Sequence, residues 1–508
     1  MAKARAQHPM LYQINTRVWL HERGLALGRP ATLLDVPDGE LDRIAADGFD
    51  WVWLLGVWQT GEAGREVSRR EPSWRREYQV LLPDATDADV CGSPFAVRQY
   101  TVSRDFGGSE ALAELRRRLA GRGIGLVLDF VPNHTALDHP WVLEHPEFYV
   151  HGAEEDLARE PANYVRVETG AGPRILAHGR DPYFAGWPDT LQLDYRHAGL
   201  RAAMLETLRG IVTQADGVRC DMAMLVLPDV FARTWAAQPG PVDGSAPAGT
   251  SFWSEAIAAV RAHRPDWVFV AEAYWDLQWR LQQEGFDYTY DKRLYDRLHA
   301  QDAAAVRGHL GAGAEYQRRS VRFLENHDEP RAAAVFAPPV HDAAAVLGLL
   351  LPGLRLVHDG QTTGRRLRTS NHLRRRAAEP VDRERAAFYQ RLLACMRRPE
   401  VRDGHWRLLP VHPAWDGNGT CEQFIAYLWE AAEGRLLVTV NFGSRRGQCY
   451  VSLGDLSLGT STVCLHDLMH PRISYERSGA ELAARGLYLD VPAWCAHAFE
   501  LRQGTPMS

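Results

Sequence analysis

Four short segments, in a fixed order along the chain, constrain its fold most tightly. They are DFVPNH (residues 129–134), DGVRCDM (216–222), VFVAEAYW (268–275) and FLENHDE (323–329). Each is an apolar stretch that stops on a carboxylate, a His, an Asn or an Arg. A parallel β/α barrel presents its working groups in this way, because all its strands end on one open face and the loops there build the site. The carboxylates Asp221, Glu272 and Asp328 fall at three separate strand ends. Cleaving a sugar acetal needs such a set, with one carboxylate as nucleophile and another as proton donor.

Strand and helix patterns alternate from about residue 10 to 395. Strands are expected at 11–20, 50–58, 123–131, 217–221, 267–272, 286–290, 319–326 and 353–358. The second, DWVWLLGVW, is a near-continuous apolar run, as a strand buried on both faces requires. Residues 109–120 carry Leu112, Leu115 and Leu119 at helical spacing behind Ser109 as N-cap. Helices are also expected at 200–213, 254–263, 292–300, 342–351 and 382–398. Between residues 134 and 190 the alternation stops, over a length too great for an ordinary loop. The expected organisation is therefore α/β: a (β/α)8 TIM barrel (1–134 and 190–402), an inserted lid-like small domain after strand 3 (135–189), and a C-terminal all-β sandwich (403–508). The last rests on alternating segments separated by turn sequences such as DGNG and FGSRRG.

Composition mainly excludes. A formal net charge of −6 gives no reason to expect a nucleic-acid partner. Seven Cys with no repeated metal-ligand spacing suggest neither a disulfide framework nor a zinc site, and alternation turns Cys220 away from Asp221. No segment has the length and apolarity of a signal peptide or a membrane helix, so a cytoplasmic protein with no membrane partner is expected. Sixteen Trp serve a core, and their flat faces also suit sugar rings.

The four motifs, the long insertion after the third strand and the terminal β domain together resemble the α-amylase superfamily, glycoside hydrolase family 13, over nearly the whole chain. The resemblance implies Asp221 as nucleophile, with Arg219 two residues earlier on the same strand keeping it ionised. It implies Glu272 as acid/base and Asp328 as the group that holds the sugar 2- and 3-hydroxyls, with His134 and His327 on neighbouring hydroxyls. The activity implied is a retaining double displacement on α-glucosidic bonds of a small carbohydrate substrate, with no cofactor for the chemistry. Hydrolysis, transfer to another sugar and isomerisation of the trehalose-synthase kind share those residues, and all three stay open, as does a non-catalytic carbohydrate-binding homologue.

Asn133 resembles the family's calcium-ligating Asn, which makes a structural calcium ion the one metal to consider; the other reading is a hydrogen-bonded Asn at a strand end. Where relatives carry a Tyr that stacks on the reacting sugar, this chain reads Ser93–Pro94–Phe95, so Phe95 stacks instead or nothing does. After the nucleophile, Met222–Ala223–Met224–Leu225 replaces the polar Lys and His of many amylases, which points to short substrates. Two Arg-rich stretches, 65–78 and 365–376, are expected in loops on the side of the site. They read as a solvated face, an oligomer contact, or a site for an anionic group such as a sugar phosphate. The oligomeric state is not readable from the chain.

Overall fold

The computed structural model describes residues 6–238, 240, 250–432, 434–459 and 461–503. Eight parallel strands close a barrel: β1 (Met10–Asn15), β2 (Trp51–Leu55), β3 (Gly125–Phe130) and β4 (Gly217–Cys220) form one half. The other half is β5 (Val268–Ala271), β6 (Tyr288–Tyr290), β7 (Ser320–Arg322) and β8 (Leu354–His358), with β8 paired to β1. Every residue of β2, β4, β5 and β8 is buried; β2 and β5 are accordingly apolar throughout rather than alternating, while β4 and β8 also bury Arg219, Arg355 and His358.

Three expectations about local structure need correction. The first strand ends at Asn15, and residues Thr16–Leu27 are helical because the Asn15 side chain caps that helix on the Val18 N–H. The helix around Leu112 begins at Gly108, with Gly107 in the left-handed conformation before it, so Ser109 lies inside the first turn. Residues 65–78 are not a loop: they belong to two helices, Glu62–Arg70 and Pro72–Leu81, set between β2 and β3. Their signals were in the chain. Arg70 pairs with Glu66 at i,i+4 (2.6 Å), and Pro72 follows Glu71, whose carboxylate accepts from the Ser73 N–H at 3.2 Å.

After β3 the chain makes a second excursion. His134–Ala136 pairs antiparallel with Thr190–Gln192 at its base, and the hairpin Tyr164–Thr169 with Gly172–Ala177 rises above. The C-terminal region is an antiparallel six-stranded sheet facing a three-stranded one. One face of the larger sheet packs on the helix Pro338–Leu349: Tyr427 donates to the Val346 and Leu347 carbonyls, and Trp429 donates to the Leu350 carbonyl at 2.7 Å. That helix is buried from Ala343 to Leu349 because it lies between barrel and sheet. All seven Cys are free, and Cys220 is fully buried.

Candidate active site

Strand β4 sets the centre of the barrel mouth. Arg219 and Asp221 project on the same side, and the Arg219 guanidinium meets Asp221 Oδ1 at 2.7 Å and Glu272 Oε2 at 2.8 Å. A third carboxylate, Asp129 on β3, stands 3.7 Å away, held by the Trp53 indole N–H and the Gly56 N–H. Trp53 and Phe95 each place a ring 5.2 Å from the guanidinium carbon. Burial alone would lower the basicity of Arg219, but Glu272, Asp221 and Asp129 outweigh it and hold the group permanently charged. Burial pushes the Asp221 carboxyl up, opposed by the Arg219 guanidinium 2.7 Å away, with Glu272 adding to the push.

Glu272 is oriented by the backbone around it. Its Oε2 also accepts from the Met222 N–H at 2.7 Å, and its Oε1 accepts from the Tyr274 hydroxyl at 2.8 Å. Met222 has φ 42°, and Trp275 and Asp276 follow Glu272 with φ 56° and 64°. Left-handed conformations at three non-glycine residues cost energy, and they cluster where the chain turns sharply after each carboxylate.

Asp328 lies beyond β7, where His327 Nε2 stands 2.9 Å from one of its oxygens and the Asn371 amide donates to the other at 3.2 Å. Asp328 is exposed at the cavity mouth; partial loss of water there would raise its carboxyl, but His327 beside it outweighs that and brings it down to about 2. His327 is fixed through Nδ1 by Gln13 (2.7 Å) and packs on Trp53 and Phe95. Burial lowers His134 to about 3, so it is neutral, and its ring lies 5.1 Å from that of Trp187.

One cavity of about 290 Å³ brings together Asp221, Glu272, Asp328, His134 and Phe95. Arg219 lies behind it and His327 supports Asp328. Two of its walls come from the Arg-rich stretches that the sequence places on the side of the site, and the third, from the insertion, was not expected. Trp74 and Glu77, three residues apart on one helix face, form one wall; Trp187, Asp189 and Thr190 form another; Arg368, Ser370, Asn371 and His372 form a third. Of the apolar run after the nucleophile, only Met222 faces the cavity, while Ala223, Met224, Leu225 and Val226 are core.

Most arginines of the two rich stretches face carboxylates. Arg368 pairs with Glu77, Arg375 with Asp84 and Asp89, Arg376 with Glu22 and Asp359, and Arg69 and Arg70 with Glu66. Arg368 is the cavity's lining arginine, against the carboxylates Glu77, Asp189, Asp221, Glu272 and Asp328. The cavity is thus acidic and does not favour a phosphate.

Nor do the residues around Asn133 fit calcium. Asn133 exchanges side-chain hydrogen bonds with Gln192, accepting at 3.0 Å and donating at 3.1 Å. Gln192 adds no charge, and the nearby Asp194 is taken by Arg196 at 2.8 Å. A hard dication requires several oxygen ligands, usually including carboxylates, and an amide N–H pointed at the would-be ligand oxygen excludes it. Asn133 is a hydrogen-bonded residue at a strand end.

The family description "Alpha amylase, catalytic domain" matches residues 95–390. The α-amylase MalA of Haloarcula japonica is 23% identical over 451 residues, covering 87% of this chain and 56% of that protein. The α-glucosidase of Culex pipiens is 25% identical over 260 residues, covering 48% and 39%. The chain spans about half the length of the curated relatives it matches. Among solved structures, the noncanonic maltogenic α-amylase AmyB from Thermotoga neapolitana superposes with a TM-score of 0.66 at 18% identity, covering 97% of this chain and 98% of that one. At that identity the likeness concerns the fold. With the family match spanning more than half of its residues, the chain belongs to the α-amylase family.

Proposed function

We propose that the protein is a retaining α-glucosidase-type enzyme that hydrolyses α-glucosidic bonds in short oligosaccharides. The observation that carries this reading is the pairing of Asp221 and Glu272 on the two ends of one guanidinium, at the floor of a small walled cavity. Membership of the α-amylase family, with Asp221 and Glu272 at the motif positions of nucleophile and acid/base, supports double displacement through a covalent intermediate. Asp221 attacks the anomeric carbon while Glu272 protonates the departing oxygen, giving a covalent glycosyl–Asp221 ester. Glu272 then removes a proton from water, which displaces Asp221 and releases the sugar.

The local bonding supports this division of labour. Glu272 Oε2 accepts from the Met222 N–H and faces the Arg219 guanidinium at 2.8 Å, which leaves Oε1, beside the Tyr274 hydroxyl, to carry the transferable proton. Asp221 offers its carboxylate to the cavity with only one oxygen engaged by Arg219. Asp328, His134 and Phe95 line the space where the reacting sugar is held. The Trp74 and Trp187 walls limit its length, and this supports short substrates. A cytoplasmic setting belongs to the same reading, supported by seven free thiols.

The test is product analysis with maltose, maltotriose, trehalose, sucrose and soluble starch, following the first-formed anomer by NMR. Release of α-glucose from maltose and maltotriose supports the proposal. New disaccharides would replace hydrolysis by transfer or isomerisation, β-glucose would overturn retention, and rapid starch clearing would overturn the size limit.

A further inference from the structure

Asp189 has no part in the chemistry above, yet its situation is unusual. Its residue is 3% exposed, its Oδ2 has no hydrogen-bond partner, and it lines the same cavity as Asp221 and Glu272. Among the described residues no Lys or Arg pairs with it, and its electrostatic support is its own backbone N–H. The surroundings hold it in place: Trp187 and Thr190 flank it, and Gly64 on the opposite helix is so close that a Cβ there would lie 3.5 Å from the Asp189 Cβ. A buried carboxyl oxygen without a partner is destabilising, and native proteins keep such groups where a ligand or water completes them.

We infer that Asp189 is a specificity-determining residue whose carboxyl hydrogen-bonds one hydroxyl of the bound sugar at the wall formed with Trp187 and Thr190. This rests on the reading of the cavity as a glucoside site. A neutral sugar is the fitting class, because burial raises this carboxyl to about 7 and so lets it donate or accept. The aromatic face of Trp187 beside it gives the apolar surface that a pyranose ring uses, while the carboxyl reads a ring-edge hydroxyl.

The experiment measures dissociation constants of methyl α-maltoside and each of its monodeoxy derivatives by calorimetry, in D221N and in D221N/D189A. In the parent, loss of one particular hydroxyl is expected to weaken binding about ten-fold or more. In the double variant that one penalty should fall to about two-fold, while penalties at the other hydroxyls persist. A purely structural or water-holding role would weaken all derivatives alike, and that result, unchanged binding, or no sugar binding at all overturns the inference. D189N, of equal size, decides if D189A does not fold: the same single penalty must shrink. Hydrolysis by the wild-type enzyme is scored separately. Hydroxyl-selective binding without turnover sinks the proposed reaction and leaves this contact standing; turnover with unselective binding does the reverse.

Discussion

Two buried charge clusters, one at the barrel mouth and one in the C-terminal sheets, use similar residues to opposite ends. In the sheets, Asp467 Oδ2 accepts from His470 Nδ1 (2.8 Å) and His497 Nδ1 (2.7 Å), while Oδ1 accepts from the Met469 and Ala498 backbone amides. These three side chains are close enough to hold a metal, but four hydrogen bonds already saturate the carboxylate and account for the geometry. At the mouth, Arg219 is divided among three acids, Asp221 keeps an oxygen toward the cavity, and Asp189 has an oxygen with no partner. A buried charge whose bonds are complete braces a fold; one left incomplete at a cavity wall is available to a ligand.

The largest effect expected from breaking this comparison is at Asp221. D221N should lower turnover of maltose by about four orders of magnitude or more, with thermal stability held or increased, because it removes a nucleophile from a crowded acidic site. Steady-state kinetics with a melting curve checks both halves. Substantial residual turnover would move the nucleophile elsewhere.

At the saturated cluster the effects should reverse. D467A leaves buried His497 without its counter-charge and should cost about 3–5 kcal/mol in urea unfolding, while kcat/KM of the folded fraction stays near wild type. A loss of specific activity at constant stability would contradict the division between the clusters.

The same cluster has a pH signature. Burial would lower His497, but Asp467 and Cys495 outweigh it and raise it to about 9, from an unfolded value near 6.5. A raised folded pKa stabilises fully below about 6.5, and that contribution fades as pH rises through about 9. Asp467 is held below its ordinary range, so its share is present above about 4 and fades on further acidification. Unfolding free energy should therefore drop by about 3 kcal/mol between pH 6 and 10 from His497 alone. H497Q should flatten that limb. An unaltered alkaline limb in H497Q would remove the histidine from the account.

Smaller effects concern the cavity walls. W74A should raise KM for maltose about ten-fold and improve the ratio of starch to maltose turnover, since it removes a side chain that closes the cavity. Glucosides carrying a phosphate should be turned over no better than neutral ones, given the acidic lining. The smallest effect is expected from chelation: EDTA should leave the melting temperature within about 1 °C, because Gln192 already satisfies Asn133. A drop of several degrees, restored by calcium, would mean a cation site elsewhere.

Reading the chain identified what local order along it carries. Apolar runs ending in Asp129, Arg219, Asp221, Glu272 and Asp328 announce both the strands and the groups at their ends, because a barrel strand is buried on both faces and delivers its last side chains to one rim. The insertion before Thr190 was legible from lost periodicity, and the sandwich from short alternating segments. The helix Glu62–Arg70 was masked by its charge, since its arginines and glutamates pair along the surface. In Pro72–Leu81 and its C-cap, the four-residue spacing of Trp74, Tyr78 and Leu82, which pack in one cluster, was obscured by the charges between them.

Tertiary structure alone decided the shape and polarity of the site. Trp74 and Asn371 lie in stretches that the sequence marks only as Arg-rich and near the site, and nothing local marks Asp189, from the insertion, as a neighbour of Asp221. The same holds for the Arg-rich stretch at 365–376, whose partners Glu22, Glu77 and Asp89 lie about three hundred residues away. Composition counts charges, but only the fold decides which are paired. Gln192 makes the point at one residue: whether Asn133 holds a cation or an amide depends on the side chain that packing sets against it, 59 positions along the chain.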